Sequence, residues 1–335
     1  MFFSIVIPLY NRPDEIRELL NSLTKQSYTN FEVIIVEDGS SNDAKSIVES
    51  FNDRLDIHYF FKPNAGQGFA RNYGFERAKG DFFIVFDSDV LVPKDYLLNA
   101  KNGIEQNGWD AFGGPDAAHE SFTPLQKAIS YSMTSPFTTG GIRGNKTHVG
   151  VFHPRSFNMG ISAKLWKSIG GYKLSRRSED IEFSIRMINA GYKVGLIPDA
   201  FVYHKRRTSL KQFYKQIVGF GKGRIDIAQM YPSELKLVHS LPAIFTIGFF
   251  TLLALNFLNV LVLNEISILK YLVYIGNSFL FLYTFGLLIH SLISTKSLKV
   301  GFLSVVTAYT QLLAYGIGFI RNYVDTVWLH KDTKQ

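Results

Sequence analysis

Short apolar runs alternate with helical periods along the first two hundred residues. The runs "SIVIPLY", "FEVIIVEDGS", "DIHYFF" and "DFFIVFDSD" have the length and the β-branched and aromatic content of buried strands. A helical pattern with four apolar residues at helical spacing follows Pro13, and a second helix is predicted over Gly68 to Ala78. Strands that alternate with helices predict parallel βαβ units. We therefore expect an α/β domain, Rossmann-like and with a mostly parallel sheet.

The pattern weakens in the middle of the chain and then resumes. From Gly113 to Phe157 the periodicity weakens, and the glycines and threonines of "TTGGIRGN" predict a long mobile loop of the kind that closes over a substrate. A helix is expected from about Ser178 to Gly191, and "YKVGLIPDAFVYH" after it predicts two short strands. Basic residues in the loop, among them Arg155, are interpreted either as contacts for an anionic acceptor or as a solvated surface.

Three apolar stretches with almost no charge occupy the last third of the chain. They run from Leu241 to Leu263, from Ile268 to Ile293 and from Leu298 to Ile320. Each exceeds the length of about 20 residues that a helix needs to cross a bilayer. Lysines before the first and after the second stretch favour a cytoplasmic N-terminus. A third full crossing would leave basic residues outside, so the topology of the third stretch stays open.

A basic segment separates the two regions. Its helical pattern has an apolar face, which predicts either an amphipathic helix at the membrane surface or an ordinary packing helix. The members of this face are Leu210, Phe213, Tyr214, Ile217 and Phe220. The expected organisation is a catalytic domain over residues 1–205, a basic amphipathic juxtamembrane region over 206–237, about three transmembrane helices over 238–322 and a polar tail over 323–335.

Charge and composition narrow the possible partners. The net charge is +8, and basic residues cluster directly before the apolar third, which favours an anionic membrane as partner rather than nucleic acid. The chain has no cysteine, so disulfides and thiolate metal sites are excluded. The N-terminal "MFFSIVIPLY" lacks a basic n-region and is interpreted as a strand. We expect a multi-pass protein of the cell (inner) membrane with a cytoplasmic catalytic domain.

Polar residues follow three of the predicted strands. These are Tyr10-Asn11, Glu37-Asp38 and the Asp87-Ser88-Asp89 turn. In open α/β sheets, ligands bind beyond the carboxyl ends of the strands, so these residues are expected to share one site. Two carboxylates one residue apart favour Mg²⁺ or Mn²⁺, which are commonly held by carboxylates and substrate phosphates. The glycine-rich "NAGQGFARN" offers backbone N–H groups to the same rim but matches neither a Walker motif nor a dinucleotide fingerprint.

These segments together resemble the family-2 glycosyltransferases, nucleotide-sugar-dependent enzymes of the GT-A fold. The matching segments are "SIVIPLYNR", "FEVIIVEDGSSND", "GQGFARNYGFERAKGDFFIVFDSDV", "NMGISAKLWKSIGGY" and "SEDIEFSIRMINAGYKVGLIPDAFVYH", in the order of the family. The resemblance implies that Asp180 is the catalytic base, with Glu179 beside it, and that Asp87, Asp89 and His204 hold the metal. Glu37 stands where the family often has Asp.

The residues expected to bind the nucleotide sugar come from the strand ends and the glycine-rich segment. They are Pro8, Tyr10, Asn11, Glu37, Asp38, Asn64, Gly66, Arg71, Asp87 and Ser88. The resemblance favours a UDP-type donor, and a single direct displacement would invert the anomeric configuration. The chain reads "QIVGFGKGR" where processive relatives carry a Gln-x-x-Arg-Trp motif, which favours transfer of one sugar to a lipid-linked or saccharide acceptor.

Two alternatives stay open at this point. One is a catalytically silent membrane protein that uses a GT-A-like domain to bind a nucleotide or a partner, and the other is a polyprenyl-phosphate monosaccharide synthase. The sequence leaves the donor sugar, the acceptor, the product and the oligomeric state open.

Overall fold

A computed structural model describes residues 1–139, 152–261 and 267–330. They form two compact units, one of residues 1–120 and 152–205 and one of residues 121–139 and 206–330. The sheet-containing unit is therefore discontinuous in sequence, because residues 121–139 group with the C-terminal helices. The subdivision of the C-terminal region at residues 237 and 322 stays a prediction.

The first unit contains ten strands and six helices, interleaved as the apolar pattern predicts. The strands are β1 (Phe3–Leu9), β2 (Phe31–Asp38), β3 (Ile57–Lys62), β4 (Phe82–Phe86), β5 (Val90–Leu91), β6 (Ala111–Gly113), β7 (Asp116–Ala117), β8 (Asn158–Ser162), β9 (Val194–Leu196) and β10 (Val202–His204). The helices are α1 (Pro13–Leu23), α2 (Lys45–Glu49), α3 (Gln67–Phe75), α4 (Tyr96–Asn107), and, after the two helices of the inserted segment, α7 (Ala163–Ile169) and α8 (Glu179–Asn189).

The main sheet has seven strands in the order β3-β2-β1-β4-β8-β6-β9. Four neighbouring pairs are parallel, and only β8 runs antiparallel to its neighbours β4 and β6. A second sheet has the order β5-β10-β7. The predicted α/β fold with a mostly parallel sheet is thus confirmed, with β8 as the strand that makes the sheet mixed.

Apolar side chains cover both faces of the main sheet. Along β1, Phe3, Ile5, Ile7 and Leu9 pack on one face with α1 and α4, while Val6 packs on the other with α3 and α8. Successive side chains of a strand point to opposite faces, so a continuous apolar run such as "SIVIPL" fits a strand that is buried on both sides. This packing holds the parallel strands in register, so their carboxyl ends lie at one edge of the sheet.

The predicted loop from Gly113 to Phe157 is wrong over part of its length. Residues Pro124–Thr134 form helix α5, followed by the short helix α6 (Pro136–Thr139). Thr123 caps α5, accepting a hydrogen bond from the Gln126 amide while the Gln126 side chain accepts one from the Thr123 amide. This capping box offsets the unpaired donors of the first turn. The central part of the predicted loop, residues 140–151, lies outside the described residues.

The second unit also contains α9 (Leu210–Met230), α10 (Leu237–Leu261), α11 (Ser267–Thr295) and α12 (Leu298–Tyr323). The last three include segments long and apolar enough to cross a membrane, as predicted. Half of the apolar window of α12 is buried inside the protein, against 11% for each of the other two. Helix α12 therefore packs mainly against protein, whereas α10 and α11 present most of their apolar surface outward.

Helices α5 and α9 cover part of α12. Phe213 and Ile217 of α9 form a buried cluster with Ala314 of α12 and with Ile129 and Met133 of α5. Phe213 and Ile217 are thus buried against other helices, as expected of a packing helix, which is one of the two alternatives that the sequence left open. Two further members of the face, Tyr214 and Phe220, are exposed.

Candidate active site

The Asp-x-Asp turn lies directly after β4, and each carboxylate has a cationic partner. Asp87 Oδ1 accepts a hydrogen bond of 2.7 Å from Arg71 Nη2. Asp89 Oδ2 accepts one of 2.5 Å from Arg12 Nη1, and Asp89 Oδ1 lies 3.2 Å from His204 Nε2. Two opposed carboxylates repel each other, and opposite charges within 4 Å stabilise their ionised forms. The aspartate pair is therefore held between positive groups.

The second sheet brings His204 to this turn. His204 on β10 pairs with Val90 on β5, and the Lys205 amide donates a hydrogen bond of 2.9 Å to the Asp89 carbonyl. The imidazole stacks on the Phe157 ring with 4.9 Å between centroids. Pairing between β5 and β10 thus positions a side chain that lies more than a hundred residues from the aspartates in sequence.

One ligand atom from each of Asp87, Asp89 and His204 lies within 4.8 Å of the others. Two carboxylate oxygens and one imidazole nitrogen form a donor set that suits a divalent cation such as Mn²⁺, while Mg²⁺ prefers oxygen ligands alone. The three predicted metal residues are therefore brought together, and their chemistry fits the ion.

Arg71 lies at the centre of a buried charge network. Its side chain has no exposed surface, and Nη1 donates a hydrogen bond of 2.9 Å to Glu179 Oε1 while Nη2 donates to Asp87. Burial alone would lower the pKa of the guanidinium, but its interactions with Tyr172, Asp87 and Glu179 raise this pKa above its ordinary value. Arg71 therefore stays a cation and connects the aspartate turn to the start of α8.

The two acidic residues at the start of α8 have different surroundings. Glu179 is buried and accepts hydrogen bonds from both Arg71 and Gln67, and burial, followed by the neighbouring charge of Asp180, raises its pKa to about 7. Asp180 keeps 19% of its side chain exposed, and its Oδ2 lies 3.8 Å from Arg155 Nη1. Glu179 is thus hydrogen-bonded within the protein, whereas Asp180 is the carboxylate that a substrate can reach.

Asp38, at the end of β2, organises the glycine-rich segment. Its Oδ1 accepts hydrogen bonds from Lys62 Nζ at 2.6 Å and from the Ala65 amide at 2.9 Å, and its Oδ2 accepts one of 2.8 Å from the Gly66 amide. The Asn64 side chain donates to the Asp38 carbonyl. Gly66 has a φ of 96°, and a Cβ there would lie 2.7 Å from the Ser175 carbonyl oxygen. Only glycine fits this position without strain.

Several predicted nucleotide-binding residues have structural partners of their own. Glu37 is buried and accepts hydrogen bonds from the Ser40 hydroxyl, the Ala44 amide and the Tyr59 hydroxyl. Asn11, with a φ of 52°, accepts a hydrogen bond of 3.0 Å from the Asn42 amide. Both residues therefore shape the turn after β2, and their contact with a nucleotide stays a prediction.

The remaining predicted residues lie around the same edge. Pro8 is buried in β1, Ser88 is buried between the two aspartates, and the Tyr10 ring is 52% exposed where β1 ends. An exposed aromatic ring at the carboxyl edge of a sheet is a suitable surface for stacking a base. The nucleotide-binding role of each of these residues stays a prediction.

Sequence reasoning missed three charged residues at this edge. Arg12 pairs with Asp89, Lys62 pairs with Asp38, and Asp116 Oδ2 lies 3.9 Å from His204 Nδ1. Burial lowers the pKa of Arg12, but the charge and hydrogen bond of Asp89, together with the charges of Asp87 and Glu15, raise this pKa above its ordinary value. Lys62 ends β3 and Arg12 lies three residues after the end of β1, so the rule that strand ends converge would have found both. Asp116 lies on β7, a strand of two residues that no local sequence pattern predicts.

The chain is similar to a known family and to known proteins. Residues 4–166 match the family model described as glycosyl transferase family 2. The glycosyltransferase AglE from Haloferax volcanii is 25% identical over 253 residues, which are 74% of this chain and 81% of AglE. The poly(ribitol-phosphate) beta-N-acetylglucosaminyltransferase TarS from Staphylococcus aureus is 36% identical over 114 residues, 33% of this chain and 20% of TarS. The chain therefore spans only a fifth of that longer relative.

The fold also has solved counterparts. The mannosyltransferase PcManGT from Pyrobaculum calidifontis, solved with GDP-Man and Mn²⁺, superposes with a TM-score of 0.58 at 15% identity, over 96% of this chain and 87% of that one. An identity this low concerns the fold alone. Taken with the matched motifs and the charged edge of the sheet, the match over residues 4–166 supports a family-2 glycosyltransferase with a GT-A-like domain and a glycosyl transfer role.

Proposed function

We propose that the chain moves one sugar from a nucleotide-diphosphate sugar to an acceptor hydroxyl, with inversion at the anomeric carbon. The observation that carries this proposal is the convergence of a divalent-cation donor set, the buried Arg71 and the accessible Asp180 within one unit. A leaving diphosphate needs positive charge, and an attacking alcohol needs a base. Both requirements are met by residues of this edge.

The donor is proposed to be a nucleotide sugar because solved neighbours were captured with such compounds. PcManGT holds GDP-Man, and TarS 1–349 has been solved with UDP-GlcNAc at a TM-score of 0.50 and 19% identity. The two bases differ, so these neighbours support the class of donor and leave the choice of base to experiment. We keep a UDP-type donor as the prediction.

Asp87, Asp89 and His204 would hold Mg²⁺ or Mn²⁺ when the donor binds, and the ion would supply positive charge to the diphosphate. Arg71 contributes a fixed positive charge in a water-poor setting, where such a group stabilises developing negative charge more than in water. Arg12 orients Asp89 through their ion pair. Together these residues would stabilise the negative charge of the leaving diphosphate.

Asp180 is proposed to accept the proton of the acceptor hydroxyl. A positioned carboxylate contributes roughly 10²–10⁴-fold to such a transfer. Its Oδ1 accepts a hydrogen bond of 2.8 Å from the Ile181 amide, which leaves Oδ2 facing outward near Arg155. Among the described residues of this edge, the neighbouring Glu179 is hydrogen-bonded to Gln67 and Arg71, so Asp180 acting as a single base supports one direct displacement, which inverts the configuration.

The acceptor is proposed to be lipid-linked, and the chain to be a multi-pass protein of the cell membrane with its catalytic domain in the cytoplasm. Three apolar helices and the basic stretch before them support this proposal. An anionic membrane, and no nucleic acid, is the expected surface partner. A saccharide acceptor remains the other member of the proposed class.

The test is nucleotide release by the purified full-length chain in detergent, with a panel of UDP and GDP sugars, Mn²⁺ and a lipid-linked acceptor. Asp180→Asn is expected to slow transfer by roughly 10²–10⁴-fold while leaving nucleotide affinity, measured by titration calorimetry, unchanged. Asp53→Asn, at an exposed position in the turn after α2, is the matched control.

Three outcomes would change the proposal. Loss of nucleotide affinity in Asp180→Asn would contradict the role of base. Undiminished transfer to a polyprenyl phosphate would indicate a synthase whose ionised acceptor needs no base. No turnover with any donor, together with no effect of Asp89→Ala on nucleotide binding, would favour a silent binding domain.

A further inference from the structure

A second cluster of metal-ligating residues lies at the opposite edge of the main sheet. Glu32 is the second residue of β2, and Asp56 and His58 lie at the start of β3. The candidate active site begins at the other end of the same strands, with Asp38 six residues after Glu32. At about 3.3 Å per residue, the two sites are roughly 20 Å apart.

Strand pairing puts the three side chains on one face of the sheet. Ile34 pairs with His58 in the parallel ladder between β2 and β3, so Glu32 and Asp56 lie two residues before that pair on each strand. Residues two apart on a strand point to the same face. His58 Nε2 lies 3.5 Å from Glu32 Oε2 and 3.3 Å from Asp56 Oδ1, and one ligand atom of each residue lies within 4.8 Å of the others.

Glu32 is held in place before any ligand binds. Its side chain is fully buried, and Oε1 accepts hydrogen bonds from Ser4 Oγ at 2.6 Å and from the Lys79 amide at 2.7 Å. Ser4 Oγ itself accepts one from the Gly80 amide. Outer hydrogen bonds of this kind orient the ligands of metal sites.

None of the described residues donates a hydrogen bond to the other oxygen of Glu32. Oε2 is buried and accepts no hydrogen bond, although it faces the His58 ring. His58 Nε2 in turn meets neither carboxylate with hydrogen-bond geometry. A buried carboxylate oxygen without a partner is costly, so the local chemistry favours an additional positive group between these atoms.

We propose that Glu32, Asp56 and His58 bind a Zn²⁺ ion that joins strands β2 and β3. Zinc bonds of about 2.0–2.2 Å in tetrahedral geometry separate neighbouring ligand atoms by about 3.3–3.6 Å, the spacing of His58 from both carboxylates. One imidazole and two carboxylates suit zinc better than Mg²⁺ or Ca²⁺. Asp56 is 60% and His58 36% exposed, which leaves a route for the ion and a fourth position for water.

The ion would act on the edge of the sheet and not on the sugar. Among the strands that the structure describes, β3 is at the edge of the main sheet and pairs with β2 alone. Edge strands are prone to fraying and to pairing with other chains. A metal ion that connects the first residues of β3 to the buried Glu32 would stabilise that edge.

The test measures zinc bound by the chelator-treated full-length chain in detergent, with Zn²⁺ as the only added ligand. The active site also offers a metal donor set, so His204→Ala is used as the background. This background is expected to bind one zinc and to gain thermal stability from it. Adding His58→Gln or the exposed Asp56→Asn should weaken this binding by at least about 10–100-fold, the loss produced by changing even outer partners.

Asp53→Asn in the same background is the control, because Asp53 is exposed, lies three residues before Asp56 and is outside the cluster. It should bind zinc as the background does. X-ray absorption of the background should give imidazole and carboxylate ligands at about 2.0–2.2 Å. In the chain with His204 intact, His58→Gln should leave Mn²⁺-supported turnover unchanged.

Two results would overturn the proposal. The first is a His204→Ala chain that binds no zinc, in which case His58 is only an ion-pair partner of the two carboxylates. The second is zinc affinity that neither His58→Gln nor Asp56→Asn reduces, in which case the ion binds elsewhere. Because Asp56 is exposed, the Asp56→Asn result does not depend on how well the core tolerates a change.

Discussion

Replacing Arg71 by methionine removes the positive charge at the centre of the active site and keeps much of the side-chain volume. Glu179 then loses a partner 2.9 Å away and Asp87 loses one 2.7 Å away. The side chain of Glu179 is 4% exposed, whereas that of Asp87 is 32% exposed and can be solvated. The loss of stability therefore falls mainly on Glu179.

Removing one partner of a buried ion pair costs about 3–5 kcal/mol, because the other charge stays buried without compensation. In a domain of 150–250 residues, 1 kcal/mol shifts the melting temperature by about 2–4 °C. Arg71→Met should therefore melt roughly 6–20 °C below the parent. Raising the pH should widen this gap, because ionisation of the isolated Glu179 carboxylate becomes harder to avoid.

The assay compares thermal unfolding and nucleotide release in the parent, Arg71→Met, Glu179→Gln and the double variant. The double variant has no buried carboxylate to leave unpaired at position 179, so it should recover most of the lost melting temperature. Its turnover should stay low, because Asp87 still lacks the cation that holds it. Stability and catalysis are thus separated within one set of proteins.

Two results would refute this reasoning. If the double variant melted as low as Arg71→Met, the destabilisation would come from lost packing and not from the unpaired Glu179. If the double variant recovered turnover with its stability, Arg71 would have only a structural role.

Two further predictions concern the pH dependence and the backbone of the site. Burial raises the pKa of Glu179 to about 7, so between about pH 4.5 and 7 this carboxyl is protonated in the folded state and ionised in the unfolded state. The melting temperature of the parent should therefore fall relative to that of Glu179→Gln as the pH rises from 5 to 8. A constant difference would contradict the shift. Gly66→Ala should lower the free energy of unfolding by about 1–3 kcal/mol and weaken nucleotide binding. Gly170→Ala is the control, because Gly170 has a φ of 75° but no atom lies within 4 Å of the new Cβ, so only stability should change. Equal nucleotide affinities of the two variants would contradict this prediction.

Much of the sheet and its active edge could be predicted from sequence because the signals are local. The apolar runs of β1, β2 and β4 are long, Glu37 and Asp38 end β2, and Asp87 and Asp89 follow β4. The capping box of α5 was equally local, and a search for Thr-x-x-Gln before an apolar period would have found that helix.

Other features depend on pairing between distant segments. Strand β8 reads "NMGIS", which has no strong strand preference, and its antiparallel position comes from its neighbours β4 and β6. The strands β5 and β7 have two residues each, so only their pairing with β10 defines them. The cluster of Glu32, Asp56 and His58 was not predicted, because the rule that ligands bind beyond the carboxyl ends of the strands does not concern the opposite edge of the sheet.

The inserted helix α5 affects how the chain can be divided for experiments. It is encoded between β7 and β8, yet its Ile129 and Met133 are covered by α9 and α12. A fragment that simply stops at residue 205 would keep α5 and expose both side chains, which invites aggregation. A soluble catalytic fragment therefore calls for two cuts: removal of the C-terminal helices, and replacement of residues 121–151 by a short polar linker.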